Sequence, residues 1–260
     1  MKYGLLIVEG PHDVELAYRL LNPALGFGGR VELMPQLEEF FHTLVPSSFP
    51  HDDNLLKRVP VPMFMQNDSH CIAIHSARGD SRLVEAVEEN KKDLRERKYQ
   101  KLTGVGLILD SDDDSDPIAR YTKVRNELRG LGFAFPDDPG VVSEGTPHFG
   151  GFVLPDNKST GNLEDLLIEC AGKAFPKLLV SAKTHVDTAK AAKFSDAKRE
   201  DLSKNPKYKK AVVGSIATTL RPGRSIQVSV QDNIWLRGDN LKLPKIKAIQ
   251  EFLKQLFELT

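Results

Sequence analysis

Two short stretches end in groups able to do chemistry. Residues 2–13 read Lys-Tyr-Gly-Leu-Leu-Ile-Val-Glu-Gly-Pro-His-Asp, and residues 104–116 read Gly-Val-Gly-Leu-Ile-Leu-Asp-Ser-Asp-Asp-Asp-Ser-Asp. Each is an apolar run that stops abruptly in carboxylates. Continuous Leu, Ile and Val followed by turn chemistry is the pattern of a strand buried on both faces, as in a parallel sheet. In open α/β sheets the working groups emerge at the carboxyl ends of the strands. Glu9 and Asp110 are the first residues out of their runs, with Asp13 and Asp112 close behind. If the two strands are neighbours, all four acids converge. Carboxylates held that close either share a proton or hold a cation. With oxygen donors and only His12 as a nearby nitrogen ligand, the cation is a hard divalent ion, Mg²⁺ or Mn²⁺, rather than zinc. A plainer reading stands beside this one. Acids after a strand also serve as solvated turn residues and helix caps, and Asp13 and Glu15 fall in a first helical turn, where the helix dipole favours negative charge.

The elements that must carry these groups follow from the rest of the pattern. A helix is expected over 11–21, opened by Pro11, and an insertion over about 30–69. A strand at Cys71–His75 and a turn through Gly79 lead into a helix over 81–98. The central strand 104–109 is followed by a helix over 118–131 with Ser115 or Asp116 as its cap. A fourth strand spans 150–154, and a helix spans 163–174 with Glu164 and Asp165 in its first turn. Helices are expected over 177–208, 207–220 and 243–257, and a short apolar stretch over 225–230. The fold is therefore α/β, a mostly parallel, Rossmann-like four-stranded sheet flanked by helices. Its core covers 1–175, and a mainly helical extension over 176–260 packs on it.

The chain has 260 residues, 40% of them hydrophobic and 28% charged, as in an ordinary globular protein. Lys and Arg total 36 and Asp and Glu total 36, so the net charge is zero. That balance argues against a strongly basic, stand-alone nucleic-acid binder. Cys71 and Cys170 have no metal-ligand spacing and read as core residues. The histidines 42, 51, 70 and 75 fit no zinc pattern. No apolar run is long enough to span a membrane, and Lys2 leads straight into a strand, so a cytoplasmic protein is expected. A Gly-x-x-x-x-Gly-Lys-Ser/Thr phosphate loop is absent from the sequence.

Glu9-Gly10-x-x-Asp13 followed by Asp110-x-Asp112 resembles the TOPRIM domain. The segment Leu154 to Leu167 resembles the third acidic segment of the TOPRIM-only, OLD-like bacterial proteins, and Lys210-Ala211 with Arg221-Pro222-Gly223-Arg224 resembles their C-terminal segment. The resemblance implies a TOPRIM-like fold and Mg²⁺-dependent phosphodiester hydrolysis of DNA or RNA by one or two ions. It assigns Asp13, Asp110, Asp112 and Glu164 to the metal; by position alone Asp114 is a further candidate and Asn162 a weaker one. It gives Glu9 to metal ligation or to general-base catalysis, and Lys210 to the charge on the transferring phosphate. Phage defence is the setting it suggests. Two other readings remain open. One is an effector subunit, active only with a partner ATPase, for which a homo-oligomer is also compatible. The other is a phosphoesterase acting on small molecules.

Overall fold

In the computed structural model, residues 1–22, 25–48, 61–111, 116–192, 202–232 and 234–259 are described. Five strands form one sheet: β1 (Lys2–Val8), β2 (Met63–Gln66), β3 (His70–Ser76), β4 (Gly104–Asp110) and β5 (His148–Leu154). Their spatial order is β2-β3-β1-β4-β5. β3, β1, β4 and β5 run parallel, while β2 pairs antiparallel with β3. The expected four parallel strands are all present, and β5 starts two residues early. The fifth strand comes from inside the expected insertion. Four residues between Pro62 and the Asn67–Ser69 turn give too short a pattern to read as a strand, and only the neighbouring β3 makes it one.

The helices are α1 (Pro11–Leu21), α2 (Leu83–Tyr99), α3 (Pro117–Gly130), α4 (Leu163–Ala174), α5 (Pro176–Ala191), α6 (Asn205–Leu220), α7 (Ile226–Gln231) and α8 (Pro244–Phe257). Asp116 caps α3, its carboxylate accepting the N–H groups of Ile118 and Ala119; Ser115, the other expected cap, lies outside the described residues. Two differences from expectation stand out. The long helix expected over 177–208 is α5, which stops at Ala191, and the start of α6. The apolar stretch 225–230 is a helix, with the Ser225 hydroxyl accepting the Val228 N–H.

The strand residues divide by parity onto two cores. Leu6, Val8, Ile72, Ile74, Ile108 and Phe152 face α1, α4 and the C-terminal helices. Leu5, Ile7, Ala73, Leu107 and Val153 face α2 and α3. A sheet buried on both sides needs apolar residues at successive positions, hence the unbroken runs. Cys71 and Cys170 are both fully buried.

The C-terminal segment is part of this core. α8 lies against β1, β4 and β5, and Leu256 and Phe257 press on the strand glycines. A Cβ on Gly104 would collide with the Leu256 carbonyl, and one on Gly4 with the Phe257 ring. Trp235 is fully buried, and its Nε1 donates to Ser229 Oγ at 2.9 Å.

Candidate functional site

Glu9 and Asp110 leave β1 and β4 side by side, since Val8 pairs with Ile108 in the register. Glu9 Oε1 accepts the Asp110 N–H at 3.1 Å. Asp110 Oδ1 in turn accepts the N–H of Leu163 at 3.2 Å, in the first turn of α4. The next residue, Ser111, fastens the preceding loop: Gly161 N–H donates to its Oγ at 2.7 Å and its own N–H donates to the Gly161 carbonyl at 3.1 Å. A chain of hydrogen bonds thus links the end of β1, the end of β4 and the start of α4, where Glu164 sits. Glu9, Asp13, Asp110 and Glu164, four of the expected residues, are gathered at this end of the sheet.

Their electrostatics fit a crowded anionic centre. Asp13 is buried, and its Oδ2 accepts the Gly10 N–H at 2.9 Å. Burial first, then the negative charges of Glu9 and Glu164, push its carboxyl up to about 7, against the pull of the Gly10 N–H and Lys210. Glu164, also buried, is raised by desolvation, with Lys210 again opposing. His12 is lowered by burial and then by Lys210. Lys210 is exposed on α6 yet acts on all three groups, so its ammonium stands at the rim of the cluster. Its neighbour Lys209 is buried and bonds Asp165 Oδ2 at 2.9 Å. Asp165 also accepts the Asn162 N–H at 2.9 Å, so it caps α4.

Asp112 and Asp114 lie outside the described residues. Among the described residues no three carboxylate, imidazole or thiolate groups already stand as a ready metal cage. The donor set nevertheless suits a hard cation. Asp13 and Glu164 are both buried, and Asn162 Oδ1, at the cap of α4, is buried without a hydrogen-bond partner. The charge of Glu164 opposes ionisation of Asp13, and a cation would relieve that repulsion. His42, His70 and His75 have separate protein contacts, the Leu37 carbonyl, Ser69 and Asn90 respectively; His51 lies outside the described residues.

One residue of the site escaped the sequence reading. Arg120 Nη2 bonds Glu9 Oε1 at 3.1 Å and its Nε donates to the Asp110 carbonyl at 3.4 Å. The side chains of this ion pair are only 12% and 14% exposed. A signal existed. Arg120 is the fourth residue of α3, at the end where the helix dipole disfavours a cation, so it needs an anion nearby. Nothing in the sequence said which one.

The fold and the site together define an α/β protein with a Rossmann-like sheet and an acidic centre at the carboxyl ends of its parallel strands. The chain belongs to the family described as "Protein of unknown function (DUF3226)", which it matches over residues 3–258. In fold it is similar to the hypothetical protein PH0156 from Pyrococcus horikoshii OT3. The TM-score is 0.55 and the identity 17%, over 98% of this chain and 95% of that one. No curated protein matches it. Among the described residues no helix is long and apolar enough to cross a membrane.

Proposed function

We propose that this protein is a Mg²⁺- or Mn²⁺-dependent phosphodiesterase that cuts nucleic acid, a TOPRIM/OLD-like nuclease. The observation that carries the reading is the approach of Glu9, Asp13, Asp110 and Glu164 at the carboxyl end of the sheet, with Asp13 and Glu164 buried and their carboxyls pushed upward. These four residues, with Asp112, would hold the ion or pair of ions. A divalent ion there supplies an activated water and neutralises the leaving oxygen of a phosphodiester. The chain's own groups prepare the ligands. The Gly10 N–H orients Asp13, the Leu163 N–H orients Asp110, and Arg120 with the Asp110 N–H fixes Glu9. Outer contacts of this kind set a ligand's direction and charge. Two donors on Glu9 Oε1 suit a fixed anionic ligand better than a proton acceptor. Lys210 at the rim is suited to offset charge on the transferring phosphate.

The test is cleavage of plasmid, single-stranded DNA and RNA with Mg²⁺, with Mn²⁺ and with EDTA, with Asp110→Ala as control. Metal-dependent cutting that the variant lacks supports the reading. Equal activity of Asp110→Ala defeats it. The zero net charge favours a second reading, in which the chain is the effector subunit of a partner ATPase. Cleavage that begins only when such a partner is added would support it.

A further inference from the structure

α1 carries another buried carboxylate, which the acid cluster does not use. Glu15 lies two residues past Asp13, roughly 200° around the helix, and so on a different face. It is 2% exposed. Its Oε1 accepts from Gln227 Nε2 of α7 at 3.2 Å, while its Oε2 is buried with no hydrogen-bond partner. The charge of Arg30 bears on this carboxylate, but an unsatisfied buried acceptor still costs about 1–3 kcal/mol.

Glu15 lines a cavity of ≈430 Å³, within the range of small-ligand sites. Its walls include Val14, Met63 and Ile74, and its polar lining includes Arg30 and Arg78. The cavity adjoins the acid cluster. Pro11, two residues past Glu9, lines it. The turn carrying Arg78 is tied to the end of β1, with the Ala77 N–H on the Val8 carbonyl at 2.8 Å and the Gly79 N–H on the Glu9 carbonyl at 2.9 Å. Arg78 itself holds a left-handed backbone (φ 60°), a conformation that a non-glycine residue adopts at some cost and that collects at functional sites.

The occupant must offer a flat apolar body to the aliphatic walls, N–H donors to Glu15 and an anion to the arginines. A nucleotide has all three. Among bases, guanine presents two adjacent donors, N1–H and the N2 amino group, to a carboxylate. Uracil and thymine present one N–H between two carbonyl oxygens, which a carboxylate repels. We propose that this cavity holds the base of a nucleotide flanking the scissile one, with guanine preferred, its edge on Glu15 and its phosphate at Arg78 and Arg30. The choice of a nucleotide rests on the nuclease reading; the site itself does not depend on metal.

The test therefore uses the full chain in EDTA, titrated with GMP, dGMP, AMP, CMP and UMP by calorimetry. GMP should bind at least about fivefold more tightly than UMP, and dGMP reports whether the 2′-hydroxyl matters. Glu15→Gln, nearly isosteric, should weaken GMP by about tenfold, the scale of one base-edge contact, and abolish the preference. Val61→Trp, a change at an exposed residue lining the cavity, should weaken every nucleotide. Equal binding of all bases, no binding, or an unchanged Glu15→Gln overturns the inference and leaves metal-dependent cleavage untouched. Guanine selectivity without any Asp110-dependent cleavage keeps this site and removes the nuclease.

Discussion

Replacing Asp13 with asparagine tests the anionic centre directly. The amide would keep an oxygen for the Gly10 N–H and nearly the same volume, and would lose only the charge. In the folded chain the Asp13 carboxyl rises from 3.8 to about 7. At about 1.36 kcal/mol for each tenfold change, that is about 4 kcal/mol against the ionised form. The sign follows from linkage. Below pH 3.8 the group is protonated in both states and costs nothing. Between 3.8 and about 7 the unfolded chain ionises first, so stability falls as pH rises through this window and levels off above it. In EDTA at pH 8, Asp13→Asn should therefore be more stable than the parent by up to about 4 kcal/mol, or about 10 °C in Tm for a chain of this size. At pH 4, where little of the difference has developed, the gap should shrink to under about 1 kcal/mol. Mg²⁺ should raise the parent's Tm at pH 8 and raise the variant's much less, since ligand binding to the folded state stabilises by mass action. Thermal melts by circular dichroism across pH 4–8, with and without Mg²⁺, decide the matter. A variant that melts at or below the parent at pH 8 in EDTA refutes the argument, because Asp13 would then not be a destabilised buried charge.

Arg120→Gln should destabilise the metal-free protein by about 2 kcal/mol, because Glu9 would lose its cationic partner in a largely buried setting. Urea unfolding of this variant, of Glu9→Gln and of the double variant should show coupling between the two sites, and strict additivity would remove the ion pair from the account. Gly104→Ala should cost about 3 kcal/mol or prevent folding, since its methyl group meets the Leu256 backbone rather than a movable side chain. Far-UV circular dichroism and a urea melt test this, and wild-type stability would mean that α8 does not lie against β4. Trp235, the only tryptophan, should fluoresce at short wavelength and shift red as α7 and α8 come away from the core. A red, readily quenched emission from the native protein would contradict its burial.

Much of the scaffold was legible locally. Leu5–Val8 and Val105–Leu109 read as buried strands because burial on both faces forbids polar residues. Pro11 and Pro117 marked helix starts because their rings suit the first turn. Glu9 and Asp110 drew attention because carboxylates directly after such strands are costly unless used. The pieces that stayed hidden were those whose state is set by distant partners. Met63–Gln66 is a strand only because β3 lies beside it, and 225–230 became a helix where its apolar pattern was too short to choose a period.

Which residues are apolar, where several turns fall and which acids lead out of the central strands can be read along the chain, since these depend on neighbours a few positions apart. The adjacency of β1 and β4, the reach of Arg120 to Glu9 and the cover of α8 over the strand glycines emerge from the folded chain alone. Those contacts join residues far apart along the chain. Coulomb attraction and packing act across space, so they leave almost no trace in its local order.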